Sequence, residues 1–255
     1  MANPTRFPSG ISNNVVGSVM GNYPLLDFTN VVRYSNDFMS YAAGDWTVIA
    51  SGSGSTAANA GSVNGGGSML QTWGTSGSQA NTLAILPFRF LATTSLAKGN
   101  QFWFDVNAVA SATALTPNYQ IGVIAGTATS TTDGVYFTKA AAALTWSIVL
   151  KSAAGSTTTI ALPAANVVAD ATRFQIGFYY DAKPQPTLWI YYNNNLVGTL
   201  VDETKGSLVG SLGTRGANNL ANLPASTVGV GPSFLVGTGG TLEIDSVTCA
   251  CEISR

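Results

Sequence analysis

Glu243 and Asp245 are the residues in this sequence best suited, by type and spacing, to acid–base chemistry. On a β-strand, side chains at positions i and i+2 project from one face, and a third acid at i+4 would complete the row of carboxylates that retaining glycosidases use. Position i+4 is Val247, and Glu252 lies too far along the strand to replace the missing acid. Because the proton donor is absent, we expect the pair to anchor a strand edge or loop, and we predict no enzymatic activity.

The absence of histidine removes most other catalytic chemistry from this 255-residue chain. Without imidazole there is no Ser-His-Asp or Cys-His nucleophile system and no histidine-ligated metal site. The two cysteines, Cys249 and Cys251, are too few for a four-thiolate zinc site. At positions i and i+2 of an extended segment, a disulfide between them would be strained. We predict two free thiols, which is typical of assembly in a reducing cytoplasm.

Calcium is the metal for which the sequence supplies suitable oxygen ligands. Ca²⁺ in proteins is bound by carboxylate and amide oxygens, which loops can supply. The same residue types are also ordinary turn residues, and that interpretation is sufficient for them. We therefore expect no cofactor, with Ca²⁺ as the open alternative. The candidate ligands are Asp133, Asp181, Asp202, Glu203 and residues 193–195.

Charged residues make up only 9% of the chain, whereas an ordinary soluble domain carries roughly a quarter. A net charge of -1 supplies no counter-ions for a phosphate backbone, so the composition argues against nucleic-acid binding. It also offers no basic patch for a membrane surface. Gly, Ser, Thr and Asn interrupt every apolar run before the roughly 20 residues of a membrane helix, and residues 1–21 do not resemble a secretory signal.

Short β-branched and aromatic runs, separated by Gly, Pro, Asn and Asp, follow one another from residue 83 onward. In the run FWFDVNAV, Phe102 and Phe104 share one face of a strand and Trp103 lies on the other. This pattern predicts one all-β antiparallel sandwich domain over residues 35–255. Residues 51–81 are predicted as turns and edge connections, and a disordered linker is the competing interpretation. The predicted strands cover residues 69–73, 83–91, 101–109, 119–125, 134–139, 145–151, 157–162, 172–181, 187–192, 196–201, 227–236 and 241–253.

Residues 1–34 have no sustained period of 3.6 or 2 and are predicted to form an extended N-terminal arm. Their apolar side chains are too numerous for a solvated tail, so we expect the arm to dock on its own body or on a neighbouring subunit. A flexible terminus is the competing interpretation. The residues assigned to docking are Pro4, Arg6, Phe7, Pro8, Ile11, Val15, Val16, Tyr23, Leu25, Leu26 and Phe28.

The segment 175–200 runs from an aromatic strand through Asp181 and a turn into a second aromatic strand, an Asn turn and Leu-Val-Gly-Thr. This order resembles the paired strands of the concanavalin A-like, laminin G-like jelly roll. The closing phrase TLEIDSVTC and the earlier pairs Asp37-Phe38 and Asp45-Trp46 resemble the same fold. The resemblance covers about residues 35–253 and implies the fold, while lectins, glycosidases, adhesion modules and viral structural proteins all share it.

The opening segment, with Asn-Pro-Thr-Arg-Phe-Pro at residues 3–8 and Gly-Asn-Tyr-Pro at residues 21–24, resembles structural proteins of tailed bacteriophages. The low-charge composition is similar to that of virion proteins. This resemblance implies a capsid decoration or minor capsid subunit, assembled in the host cytoplasm and located in the virion. Its expected partners are the major capsid protein and copies of itself, for which a trimer would suit icosahedral geometry.

A carbohydrate-binding module is the alternative function that the aromatic residues suggest. Aromatic rings on an accessible face stack against sugar rings, and a lectin-like tail or surface module would bind bacterial glycan in this way. Trp103 is the candidate stacking residue, because alternation places it opposite the core face and next to Asp105 and Asn107.

Overall fold

The computed structural model describes residues 31–38, 46–50, 56–61, 67–72, 79–83, 88–89, 101–110, 117–127, 130–152, 156–166, 171–182, 185–206, 208, 210–224, 229–237 and 239–252. Within these ranges no helix has the length and hydrophobicity needed to span a bilayer. A 3-10 turn spans Glu203–Lys205. The strands are β1 Val31–Asn36, β2 Trp46–Ala50, β3 Thr56–Gly61, β4 Gly67–Thr72, β5 Gln79–Leu83, β6 Phe88–Arg89, β7 Phe102–Ala110, β8 Tyr119–Thr127, β9 Ser130–Lys139, β10 Ser147–Lys151, β11 Thr157–Ala161, β12 Arg173–Asp181, β13 Thr187–Tyr192, β14 Asn195–Val201, β15 Gly229–Val236 and β16 Thr241–Glu252.

The strands form two eight-stranded antiparallel sheets. Sheet A has the order β14-β13-β12-β7-β16-β4-β3, and β1 also pairs with β16. Sheet B has the order β11-β10-β9-β8-β15-β5-β2, and β6 also pairs with β15. The predicted all-β antiparallel sandwich is therefore confirmed.

The core lies between the inner faces of the two sheets and follows the alternation of the strands. Phe104 and Phe178 point inward from neighbouring strands of sheet A, with ring centroids 5.4 Å apart. Phe137 of sheet B meets Phe178 across the sandwich at 6.2 Å. Aromatic side chains bury large areas, so this interlocking of rings is a main source of the stability of the sandwich.

The N-terminal part of the sandwich differs from the sequence prediction. β1 pairs with the second half of β16, so the sheet already includes residues 31–34, which were assigned to the arm. β2, β3 and β5 fall wholly or largely in segments predicted to be turns or left unassigned. The sequence of β3, TAANAG, has no β-branched run, and it forms a strand because β4 supplies a hydrogen-bonding partner. Pairing within the sheet overrides the weak local propensity of this segment.

Candidate functional site

Three aromatic side chains form a row across the outer face of sheet A, on the side away from the core. Trp103 on β7 is directly opposite Tyr179 on β12, which is opposite Trp189 on β13. Both neighbouring ring pairs are stacked, with centroids 5.1 Å apart. We call these three residues the aromatic row. Tyr191, Ala250 and Val31 pack with them in a cluster separate from the main core.

Polar side chains lie on the same outer face, farther along β7 and β12 and on the neighbouring strand β16, and we call Asp105, Asn107, Gln175, Ser246 and Thr248 the polar patch. The Gln175 amide donates to Oδ2 of Asp105 at 2.7 Å, and the Asn107 amide donates to Oγ of Ser246 at 3.1 Å. The hydroxyl of Thr248 lies 3.0 Å from that of Ser35 on β1. Apart from Asp105, the members of the patch are only half-buried. The patch therefore presents amides and hydroxyls, which both donate and accept hydrogen bonds.

The tight turn between β13 and β14 holds one end of the polar patch in place. Asn193 and Asn194 have positive φ angles of 48° and 63°, as the Asn run predicts. The Asn193 side chain accepts from the backbone N–H of Gln175 at 2.9 Å, and its own N–H donates to the Gln175 carbonyl at 2.8 Å. These two bonds fix the start of β12 and hence the position of Gln175.

Asp105 is a buried carboxyl, 8% exposed, at the centre of the outer face. It lies over Gly177, where an added Cβ would come within 2.8 Å of its Oδ1. Burial raises the pKa of Asp105 to about 7, and the hydrogen bonds from Gln175 and the backbone of Val106 only partly offset that effect. The carboxyl therefore changes its protonation state near neutral pH.

A second polar group lies on the other side of the aromatic row. Asp181 accepts from the Tyr179 hydroxyl at 3.1 Å and from the Gln101 amide at 3.4 Å. Glu252 accepts from the backbone N–H of Gln101 at 3.3 Å. Burial, together with the nearby Asp181 carboxylate, raises the pKa of Tyr179. Tyr179 thus stays protonated and donates its hydroxyl to Asp181 at physiological pH.

The carboxylates singled out for acid–base chemistry do not form a row. The register of β16 against β7 shifts between Ile244 and Ser246, so Asp245 lies in an irregularity that interrupts the alternation. Asp245 forms an ion pair with Arg173. Val247, at the position of the missing third acid, points into the main core. This placement agrees with an anchoring role for Asp245.

The predicted calcium ligands are not gathered at one place. Asp202 caps the 3-10 turn by accepting from Thr204, which lowers its pKa, and it pairs with Lys205 at 3.3 Å. Glu203 accepts from Ser211. Over the ranges that the structure describes, no group of three or more acidic or cysteine side chains has the arrangement of a metal site. The predicted absence of a cofactor and its alternative, calcium binding, both stay untested.

Trp103 and the two cysteines lie where alternation predicts. Trp103 is on the outer face, but its side chain is only 1% exposed, so its ring is not available to a sugar in this conformation. Trp189, which the prediction did not single out, is the half-buried ring of the same row. Cys249 and Cys251 form no disulfide and lie in the main core, where burial raises the pKa of Cys249. The docking residues from Pro4 to Phe28 lie outside the described residues.

Comparison with known proteins identifies the fold alone. No protein-family model and no curated protein matches the chain. Among solved structures, the carbohydrate recognition domain of Emp47p is 10% identical, with a TM-score of 0.52, and the match covers 88% of this chain and 97% of that one. Peanut lectin is 11% identical, with a TM-score of 0.51 and coverage of 88% and 99%. An endo-β-1,4-glucuronan lyase from the fungus Trichoderma reesei is 11% identical, with a TM-score of 0.52 and coverage of 87% and 95%.

These likenesses confirm the concanavalin A-like architecture that the segment 175–200 resembles. Because they include both lectins and an enzyme, they assign no activity. They give no support to the capsid decoration interpretation.

Proposed function

We propose that this chain is a carbohydrate-binding module that binds glycan on the outer face of sheet A. The observation that carries the proposal is the juxtaposition, on one face, of the polar patch and the aromatic row. A sugar presents hydroxyls, which both donate and accept hydrogen bonds, and an apolar face of C–H groups. Amide and hydroxyl side chains can form hydrogen bonds with the sugar hydroxyls, and an aromatic ring can pack against the apolar face of the sugar.

The position of each group defines how a glycan would bind. Asn107 and Ser246 offer amide and hydroxyl groups from β7 and β16, while Trp189 offers an aromatic ring on β13. Asn107 lies four residues, or about 13 Å, along the strands from the level of the aromatic row, and Trp189 lies two strand spacings, or about 10 Å, to the side of β7. A short oligosaccharide therefore spans both. The buried carboxyl of Asp105, within the patch, disfavours acidic sugars, so we expect neutral glycans.

The fold neighbours add support of a general kind. A carbohydrate recognition domain and a legume lectin share the architecture over most of this chain. Their identities of 10% and 11% are too low to transfer a site, so the proposed site depends on the residues of this chain.

The test is a glycan array probed with the full-length protein, followed by titration of the best neutral oligosaccharide. The variant Asn107→Ala/Ser246→Ala removes both partners of one hydrogen bond, so no buried group is left unpaired. We expect at least a tenfold loss of affinity, corresponding to about 1.4 kcal/mol.

The control is Thr159→Ala, which removes an exposed hydroxyl from β11 of sheet B. It should bind like the unmodified protein. Absence of binding to every glycan on the array, or equal affinity in the Asn107→Ala/Ser246→Ala variant, would refute the proposal.

Incorporation into a phage particle remains a separate prediction from the sequence, and so do the expected self-association and the capsid partner. A micrograph that locates labelled protein on or off a particle would decide it. A glycan-binding module of a virion would satisfy both predictions.

A further inference from the structure

We propose that β11 pairs antiparallel with β11 of a second copy of this chain, so that sheet B continues from one copy into the other across a two-fold axis at Thr159. The proposal rests on the direction of the backbone groups of β11, on the composition of this strand and on the contrast with the edge of sheet A at β14. It does not depend on glycan binding. It gives a surface to the self-association expected from the sequence.

β11 is an end strand of sheet B, and in the part of the chain that the structure describes it pairs only with β10. The backbone N–H of Leu162 donates to the Trp146 carbonyl at 2.9 Å, and the Ser156 carbonyl accepts from the N–H of Ser152 at 3.2 Å. Hydrogen-bonded pairs alternate along a regular antiparallel ladder. The even-numbered residues from 156 to 162 therefore direct their backbone groups toward β10.

The odd-numbered residues of β11 direct their backbone groups away from β10. These are Thr157, Thr159 and Ala161, whose side chains are exposed, whereas Ile160 packs against the main core. In a two-fold pair centred on Thr159, this residue faces its own copy, and Thr157 faces Ala161 of the second copy. Each of the three facing pairs exchanges two hydrogen bonds, so the pairing satisfies every outward N–H and C=O group of both strands.

The end strand of sheet A, β14, has an edge that the chain itself covers. The backbone N–H of Thr199 donates to the Gly210 carbonyl at 3.1 Å, and the Thr199 carbonyl accepts from the N–H of Leu212 at 2.7 Å. The register of β14 against β13 also shifts between Ile190 and Tyr191. A covering segment and a bulge both prevent unwanted pairing at a sheet edge. β11 has a regular register and contains no Pro and no charged residue, so it lacks these protections.

The charges at this edge favour a second copy as the partner. β11 consists of Thr, Ile and Ala, so it neither repels its own copy nor selects an oppositely charged partner. The charged residue of the neighbouring strand β10 is Lys151, which lies opposite Thr157. In the two-fold pair, the two copies of Lys151 are three strand spacings and four residues apart, or about 20 Å. Salt screens charges over about 8 Å at physiological ionic strength, so their repulsion is weak.

The paired edge is small, so the dimer should be reversible. β11 contributes five residues from each copy, whereas a standard interface has about 20–30 residues a side. We expect sedimentation velocity of the full chain to show a monomer at about 10 μM and a dimer at about 1 mM. A monomer at both concentrations, or a trimer as the associated form, would overturn the proposal.

Disulfide trapping tests the register of the pairing. Facing residues of a hydrogen-bonded antiparallel pair have Cα atoms about 5.5 Å apart, which is within disulfide range. Thr159→Cys should therefore give a covalent dimer under mild oxidation. The matched control is Thr157→Cys, which is exposed on the same face but lies about 13 Å along the strands from its own copy, and it should give at least tenfold less. The native Cys249 and Cys251 lie in the main core and do not compete. Equal trapping at both positions, or none at position 159, would contradict the pairing.

Two further variants test the same edge without cross-linking. Thr159→Lys places like charges opposite each other, and Thr159→Pro removes the outward N–H without breaking a bond to β10. Each should weaken the dimer at least tenfold, with folding checked by thermal unfolding. The control for added charge is Leu196→Lys, because Leu196 is exposed on β14 at the edge of sheet A. Retention of the dimer in Thr159→Lys, or its loss in Leu196→Lys, would show that β11 is not the interface.

Discussion

On the outer face of each sheet, a glycine leaves room for a group from the neighbouring strand, but the group that fills this space differs between the two sheets. On sheet B, Gly122 leaves room for Tyr136, because an added Cβ would lie 2.4 Å from the Tyr136 Cα. Tyr136 then packs with Ile124, Val149 and Leu235 in an apolar cluster. On sheet A, Gly177 leaves room for the carboxyl of Asp105. Gly122 thus leaves room for an apolar contact, whereas Gly177 leaves room for a polar group.

This difference indicates which outer face has a role beyond stabilising the fold. An apolar cluster over a glycine stabilises the sheet and needs no further explanation. A buried carboxyl whose pKa is raised to about 7 makes the folded chain progressively less stable as the pH rises from about 4 to about 7, relative to an apolar replacement. Such groups concentrate at functional sites, although structural networks also contain them. The contrast therefore favours sheet A as the binding face.

The largest expected effect on stability concerns the two tryptophans of the aromatic row, Trp103 and Trp189. We expect Trp103→Ala to lower the free energy of unfolding by about 3–5 kcal/mol, because it empties a buried volume. Trp189→Ala should lower it by only about 1–2 kcal/mol, because that ring is half-buried. Urea unfolding measures both values. Equal losses would mean that the two ends of the row are equally covered.

Asp105 should make stability depend on pH in a defined direction. Its folded pKa of about 7 lies above the ordinary value of 3.8, so the unfolded chain releases the proton first. This contribution to stability is full below pH 4, is lost as the pH rises to about 7, and is constant above that. Asp105→Asn removes the dependence and should stabilise the protein by about 2–4 kcal/mol at pH 8.

The matched control on the other face is Tyr136→Phe. Burial raises the pKa of Tyr136 from 10, so this hydroxyl does not titrate between pH 4 and pH 8. Its removal should leave the pH profile of the unfolding free energy unchanged. If Asp105→Asn and Tyr136→Phe gave the same profile, the carboxyl of Asp105 would not be the titrating group.

The two glycines can be compared by the same substitution. Gly122→Ala and Gly177→Ala should each destabilise the protein by about 1–3 kcal/mol, because the new Cβ meets backbone atoms within 2.6 Å in both cases. Only Gly177→Ala should also alter the pH profile of stability, because it displaces Asp105. A change of that profile in Gly122→Ala would contradict the separation of the two faces.

The sequence was sufficient to predict the sandwich from residue 101 onward, because its strands alternate strongly. Phe102, Trp103 and Phe104 lie on the predicted faces, and the Asn193–Asn194 turn has the predicted positive φ. β3 could not be predicted in the same way, because Ala, Asn and Gly carry no β signal and only the pairing with β4 makes it a strand.

The candidate site was predictable only in part. Alternation identified Trp103, Asp105 and Asn107 as neighbours on one face, but the order of strands that places Gln175 and Ser246 beside them is a tertiary feature. The burial of Trp103 and the partial exposure of Trp189 are likewise tertiary features, which alternation along a strand does not reveal. The irregularity at Asp245 gave no signal in the sequence, since Glu-Ile-Asp reads as regular alternation.

The smallest expected effect concerns the ion pair between Arg173 and Asp245 at the margin of the polar patch. The two side chains are 35% and 23% exposed, so water and salt screen their attraction. A double-mutant cycle with Arg173→Met and Asp245→Asn should give a coupling energy below about 1 kcal/mol, which decreases further at high ionic strength. Lys151→Met, on the outer face of sheet B, is the control for loss of a cation.

If Asp245→Asn instead abolished the release of reducing ends from a polysaccharide, while Arg173→Met did not, the carboxylate would be catalytic rather than an anchor. The outer face of sheet A would then be an enzymatic face rather than a binding face, and the outer face of sheet B would still serve only packing.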